Sequence, residues 1–351
     1  MKTKFIIKGQ DRVRKKTGAG ARMCALLMAL LLTSGCSLLD SLSPVHEEAL
    51  PSEEDAAQIE YNVGTTQSTS YSATLYYIYQ GDNDMLLPEK RTLSFDQDRR
   101  IETVLIEELI KGPAPEQTNL LAVIDPNTKV ISVTGDTGAS DTLYITLSAE
   151  FLNEPPVYKE KYTDDPAELN RYRRQAVNAI VNTITELGQF SRVDIQIQDG
   201  KNTRRLINSE AGRTTNPANT LEPVTRQYDV IITPRMVVQK VFTLMRDRAW
   251  RAPLGNYLSF EGSQDNGLAT SEERAYAELA AQDVQIEDFT IGDVTQSTDG
   301  KSAVVTVRQL QLRDKLGKVK YSKENVPIKL TLENGIWKIP YTRFSNILTL
   351  Q

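Results

Sequence analysis

The sequence predicts an α+β fold made of two folded parts behind an N-terminal leader. Three observations carry this. Period-two alternation and helical spacing of apolar residues take turns along residues 72–200. Helix-start signals open the stretch 226–351, and the hairpin signals Asp299-Gly300 and Asn334-Gly335 follow them. The stretches before and between these parts are polar and carry prolines without either period.

The first 35 of the 351 residues read as a signal peptide. Lys2, Lys4, Lys8, Arg12, Arg14, Lys15, Lys16 and Arg22 form a basic run opposed only by Asp11. The apolar stretch Met23–Leu32 is too short to cross a bilayer, which takes about 20 residues. It suits the apolar core of a signal peptide. Leu32-Thr33-Ser34-Gly35-Cys36 then resembles the lipobox of bacterial lipoproteins, with Thr33 where an aliphatic residue is usual. The resemblance implies cleavage before Cys36 and lipidation of its thiol. A plain secretory signal and an uncleaved anchor are the alternatives. Cysteine usage favours lipidation: Cys24 leaves with the leader and Cys36 carries the lipid, so no thiol, disulfide or cysteine metal ligand remains.

Charge agrees with export. Taking the eight basic and one acidic residue of 1–35 from totals of 41 and 46 leaves 33 basic and 45 acidic residues, a net near −12. An acidic body is not suited to nucleic acid. Residues 36–71 read as a flexible tether. Ser37–Ser70 holds seven acidic residues, no Lys or Arg, Pro44, Pro51 and the tract Thr65–Ser70. Such a composition buries too little apolar surface to fold and spans on the order of 30–35 Å. The single histidine, His46, lies here, far from any catalytic context.

In 72–200, Leu75, Tyr77 and Tyr79 share a strand face, and a second strand runs through Leu86–Phe95. Ile101, Val104, Leu105 and Leu109 make a helix that stops at Gly112-Pro113. Val130–Thr134 and Leu143, Ile145 and Leu147 flank a turn. Asp165 caps a second helix with Pro166 in its first turn; its stripe is Leu169, Tyr172, Ala176, Ile180, Ile184 and Leu187, and Gly188 ends it. Val193, Ile195 and Ile197 alternate with Asp194, Gln196 and Gln198, which places a wet or partner-covered face on the last strand. One mixed or antiparallel sheet with helices on one face accounts for this order.

These runs resemble the GerMN domain. The carriers are Thr74-Leu75-Tyr76-Tyr77, Leu87-Pro88-Glu89, Glu108-Leu109-Ile110-Lys111-Gly112-Pro113, Ile124–Val130 and Gln175–Glu186 leading into Val193-Asp194-Ile195, over a little more than a third of the chain. The resemblance implies a two-layer α/β domain of extracytoplasmic, often lipid-anchored proteins linked to sporulation and spore germination. It also implies likeness to modules that assemble side by side. The Asp136-Thr137-Gly138 run matches half of an aspartic-protease dyad, but no second copy exists to share a proton, so it reads as turn chemistry.

Residues 201–225 read as a linker or as an extension of the first sheet. In 226–351, Thr233-Pro234 opens a helix with Val237, Val241, Leu244 and Met245 on one face. Thr270–Glu273 reads as a capping box before Tyr276, Leu279 and Ala280. Ile286–Ile291, Ala303–Leu312, Val326–Leu332 and Ile336–Ile339 are strands, and Asn334-Gly335 is the strongest hairpin signal. Helices followed by long hairpins, ending in Glu333-Asn334-Gly335-Ile336-Trp337-Lys338-Ile339, resemble the NTF2-like α+β cone. Trp250 and Trp337 read as core.

No Cys–His pair, Gly-x-Ser-x-Gly, phosphate loop or metal spacing is present. Cys36 is the lipidation site; Gly112, Pro113, Asp165, Pro166, Asn334 and Gly335 are scaffold positions. The reading is a non-catalytic lipoprotein on the extracytoplasmic face of the cell membrane. It needs no cofactor, binds protein partners or itself, and binds no nucleic acid. A lipoprotein that binds a small molecule or cell-wall fragment is the alternative, and a carboxylate-dependent glycan hydrolase a distant third.

Overall fold

The computed structural model describes residues 68–348 except 137, 139, 140, 162, 163, 250, 318 and 319. The leader, Cys36, His46, residues 37–67, Trp250 and Thr137, Ala139 and Ser140 lie outside the described residues. All described residues fall in one compact unit. The fold is α+β.

The first strand starts earlier than the tether boundary at residue 71. β1 (Ser68–Tyr79) pairs antiparallel with β2 (Asp82–Asp96) along its whole length, so Ser68–Tyr71 lie opposite Leu93–Asp96. The Thr/Ser tract has ordinary strand propensity once a partner strand is beside it. The last five residues of β1 are buried on both faces: Leu75, Tyr76, Tyr77, Ile78 and Tyr79 are each 5% exposed or less.

Helix α1 (Ile101–Lys111) ends at Gly112, whose φ of +91° is open to glycine and strained for other residues. Its N–H donates to the Leu109 carbonyl, and Pro113 cannot extend the ladder. The Gly112 carbonyl accepts from Tyr77 OH (2.9 Å) and Arg91 Nη2 (3.1 Å), which ties the helix end to the first sheet.

Next come β3 (Leu120–Leu121), β4 (Val130–Asp136), β5 (Thr142–Ser148), the short α2 (Pro156–Lys161) and α3 (Pro166–Thr185). Asp165 caps α3, accepting from the Ala167 and Glu168 N–H groups at 3.1 Å each, with Pro166 at the first helical position. β6 (Arg192–Asp199), β7 (Asn202–Arg205) and β8 (Val224–Thr225) complete this lobe.

The expected single sheet is in fact two. One has order β2-β1-β3, the other β4-β5-β6-β7 with β8 also on β6. α3 touches β1 and β2 of the first and β6 of the second. The reason lies in the helix. Every residue from Gln175 to Ile184 is buried, so this half of α3 is surrounded rather than laid on one layer. Its polar members find partners far away in sequence: Thr183 Oγ1 accepts from Tyr76 N–H, and Gln175 Nε2 donates to the Asn83 carbonyl. The stretch 201–225 extends the second sheet through β7 and β8 on β6.

The second lobe opens with α4 (Pro234–Arg246), capped by Thr233 Oγ1, which accepts from Met236 N–H. Phe242 is fully buried and stacks edge-on to Phe289, with Phe344 6.1 Å away. After β9 (Leu258–Ser259), α5 (Glu272–Ala281) starts one residue later than the capping box implied. Ser271 is the cap, its Oγ accepting from Arg274 N–H, because Ser271 and not Thr270 immediately precedes the helical turns. β10 (Val284–Gln296), β11 (Ser302–Asp314), β12 (Lys320–Glu333), β13 (Ile336–Pro340) and α6 (Tyr341–Ile347) finish the chain. The sheet order is β10-β11-β12-β13-β9. Asn334 and Gly335, at φ +52° and +79°, make the primed turn that an Asn-Gly pair favours between β12 and β13.

Candidate interaction surface

The second sheet has one apolar and one polar face. Leu143 and Val193, Ile145 and Ile195, and Leu147 and Ile197 are register partners, and all are 2% exposed or less. Because side chains alternate, the other face carries Thr134, Tyr144 and Asp194 in one row and Ser132, Thr146, Gln196 and Arg205 in the next. The polar face anticipated from Asp194, Gln196 and Gln198 is thus the face of a whole sheet. Arg205 clamps one Asp194 oxygen through Nε (2.7 Å) and Nη2; the other oxygen is buried without a partner. Two charge-assisted hydrogen bonds converging on this one oxygen fix β7 against β6.

β4 forms one border of this sheet, with β5 its only strand neighbour among the described residues. Its sequence Val130-Ile131-Ser132-Val133-Thr134-Gly135-Asp136 carries no charge before its last residue and no proline. Ile131 is 43% exposed. The other long borders are defended. β2 carries Pro88, Lys90 and Arg91; β10 carries Glu287, Asp288 and Asp293; β12, beyond its short pairing with β13, carries Lys323, Glu324, Pro327 and Lys329. Charges and prolines on edge strands prevent pairing with other chains. β4 has the bulge between Val130 and Ser132 and the charge of Asp136 at its end, and its centre, Ser132–Gly135, carries neither charge nor proline.

The two lobes are joined by polar contacts that sequence reading missed. Asp82 is buried and its Oδ2 takes Lys240 Nζ at 2.9 Å and the Tyr257 hydroxyl at 3.0 Å. Ile232 N–H donates to the Leu86 carbonyl at 2.9 Å. Arg226 bonds Tyr76 OH (2.7 Å), Glu186 and the Asn182 carbonyl (3.2 Å), while Asn182 exchanges two hydrogen bonds with the Gln227 backbone. Burial pushes the Tyr76 hydroxyl up to about 12, against the pull of Arg226. It therefore stays protonated and donates to Glu186.

The carboxyls Glu108, Asp125 and Glu210 are all held below the ordinary range. Burial opposes ionisation in each; hydrogen bonds from Lys111 and Arg91, from Asn127 and Asn153, and from Arg204 and Ile207 respectively outweigh it. A general acid needs the opposite shift. Among the described residues no group of three His, Cys, Asp or Glu could hold a metal, and no helix is long and apolar enough to cross a membrane. Of the positions singled out in sequence, Gly112, Pro113, Asp165 and Pro166 sit at helix ends. Asn334 and Gly335 lie at a cleft between the lobes. Cys36 lies outside the described residues.

Residues 74–203 match the family model described as Germane, sporulation and spore germination. Among solved structures, the tandem GerMN domains of the sporulation protein GerM from Bacillus subtilis are 20% identical, covering 45% of this chain and 45% of that chain, with a TM-score of 0.29. The first GerMN domain of the same protein is 16% identical over 44% of this chain and 98% of that chain, with a TM-score of 0.28. This chain thus spans less than half of the tandem-domain structure. No curated protein matches it.

Proposed function

We infer that this chain is a non-catalytic interaction module of the cell envelope, anchored outside the membrane by lipid on Cys36 and associating through β4. The family match of residues 74–203 supports a role in sporulation or germination. The tether from Cys36 to the start of β1 at Ser68 sets the folded unit away from the bilayer. The NTF2-like order of helices and hairpins in 226–351 adds a second binding-type lobe.

The observation that carries the reading is the border strand β4, whose centre has no charge or proline. Antiparallel pairing of two β4 strands about Val133 places Ser132 opposite Thr134 and Ile131 opposite Gly135, so no like charges meet. Such a pairing continues the polar face across two copies. Fatty-acid labelling of wild type and Cys36→Ala tests the anchor; label on wild type alone supports it, and label on neither removes it. Sedimentation of Thr134→Lys beside its parent tests the edge, because a lysine there blocks pairing without touching the core.

A further inference from the structure

A cleft of about 850 Å³ opens where the two lobes meet. The β1–β2 turn, β2 and the loop before β3 form one side; Asn256 and the β12–β13 turn form the other. Its size lies within the range of small-ligand sites.

The walls are fixed by hydrogen bonds. Asn119 Nδ2 donates to the Asn334 carbonyl (3.3 Å), Gln80 N–H to the Asn119 carbonyl (2.9 Å), and Asn256 Nδ2 to the Gly81 carbonyl (2.6 Å). Behind the loop, Glu89 accepts from Ala114 N–H and is paired with Arg91 at 2.6 Å. A ligand would therefore meet preformed walls and a neutralised Glu89.

The groups left to a ligand are mostly amides. Asn119 and Asn256 use their NH2 groups on the walls, and their side-chain carbonyl oxygens have no partner among the described residues. Gln80 and Gln117 are exposed at the rim and offer both a donor and an acceptor. The free charges balance, one Lys90 against one Glu116, and Leu87 and Pro88 supply apolar surface. Acceptors seeking donors, mixed amides and no net charge select a neutral, hydroxyl-rich molecule with apolar ring faces.

We propose that this cleft binds a neutral glycan segment. The site is independent of β4 and goes beyond the role assigned to that edge. The test is calorimetric titration of the whole chain with an N-acetylglucosamine tetrasaccharide, a glucose tetrasaccharide and a neutral Gly-Ser peptide. Wild type is compared with Gln117→Ala, whose side chain supports no wall, and with the distant Lys329→Ala. Saturable binding of either tetrasaccharide that weakens about fivefold in Gln117→Ala, the loss of one hydrogen bond, and is unchanged in Lys329→Ala supports the site. The two sugars then show whether acetamido groups add affinity. Absence of glycan binding, preference for the peptide, binding unaltered by Gln117→Ala, or a loss in Lys329→Ala overturns it.

Discussion

Lys240 of α4 and Asp82 of β2 lie 2.9 Å apart across the junction of the lobes, with the Tyr257 hydroxyl on the same carboxylate oxygen. The Asp82 side chain is 5% exposed and that of Lys240 23%. Removing one partner of such a pair leaves the other charge poorly solvated. Asp82→Ala is expected to cost about 3 kcal/mol, and Asp82→Asn with Lys240→Met to recover part of it. Urea unfolding of the three chains measures this; equal stabilities would show that the pair does not hold the lobes.

The stretch 201–225 is part of the fold. Gly212 sits at φ +68°, and a Cβ there would lie 1.9 Å from the Asn170 carbonyl oxygen of α3. Gly212→Ala must shift backbone against α3, at an expected cost of at least about 2 kcal/mol. A free linker would tolerate the change, so an unaltered melting temperature would contradict the packing.

Phe242 is the centre of the second lobe's core, between Phe289 and Phe344. Phe242→Ala should destabilise by about 3–5 kcal/mol and Phe242→Leu by much less. Thermal unfolding gives the ranking.

Alkaline pH should loosen the fold through its tyrosines. Tyr76 and Tyr79 are pushed from 10.0 up to about 12, mainly by burial, with Asp82 and Glu272 adding to the shift of Tyr79. Tyr77, Tyr257 and Tyr341 are raised further, again mainly by burial. Between about pH 10 and 12 the folded chain therefore binds more protons than the unfolded chain. The stabilisation is complete below pH 10 and is lost as pH rises toward 12. Tyrosinate absorbance alongside unfolding free energy checks both halves; normal titration of all tyrosines in the folded chain would refute it.

Local signals in the sequence survived folding where a few neighbouring residues decide the outcome. Gly112-Pro113, Asp165-Pro166 and Asn334-Gly335 each act within one turn, and the structure places each at a turn or helix end. The stripe on α3 was readable, but burial of Gln175, Asn178, Asn182 and Thr183 was not. Those side chains are buried because the β1–β2 hairpin and the 226–227 segment lie against them, where Thr183 bonds Tyr76, Gln175 bonds Asn83 and Asn182 bonds Gln227, and nothing near them in sequence signals that. The same holds for Phe242, which lies outside the apolar stripe that local spacing picked out on α4. Asp82, Lys240, Arg226 and Glu186 are ordinary surface-type residues until two lobes meet. The cleft beside Asn119 and Asn256 depends on the same meeting. β4 was legible as a strand, but its exposed border became visible only with the sheet order.

The most direct test of the central claim is sedimentation velocity of the whole chain carrying Cys36→Ala, with and without Thr134→Lys, across a range of concentrations in the same detergent. The account predicts concentration-dependent association of the parent and a monomer for Thr134→Lys, with unchanged unfolding midpoints. A monomeric parent, or association that survives Thr134→Lys, would contradict assembly through β4.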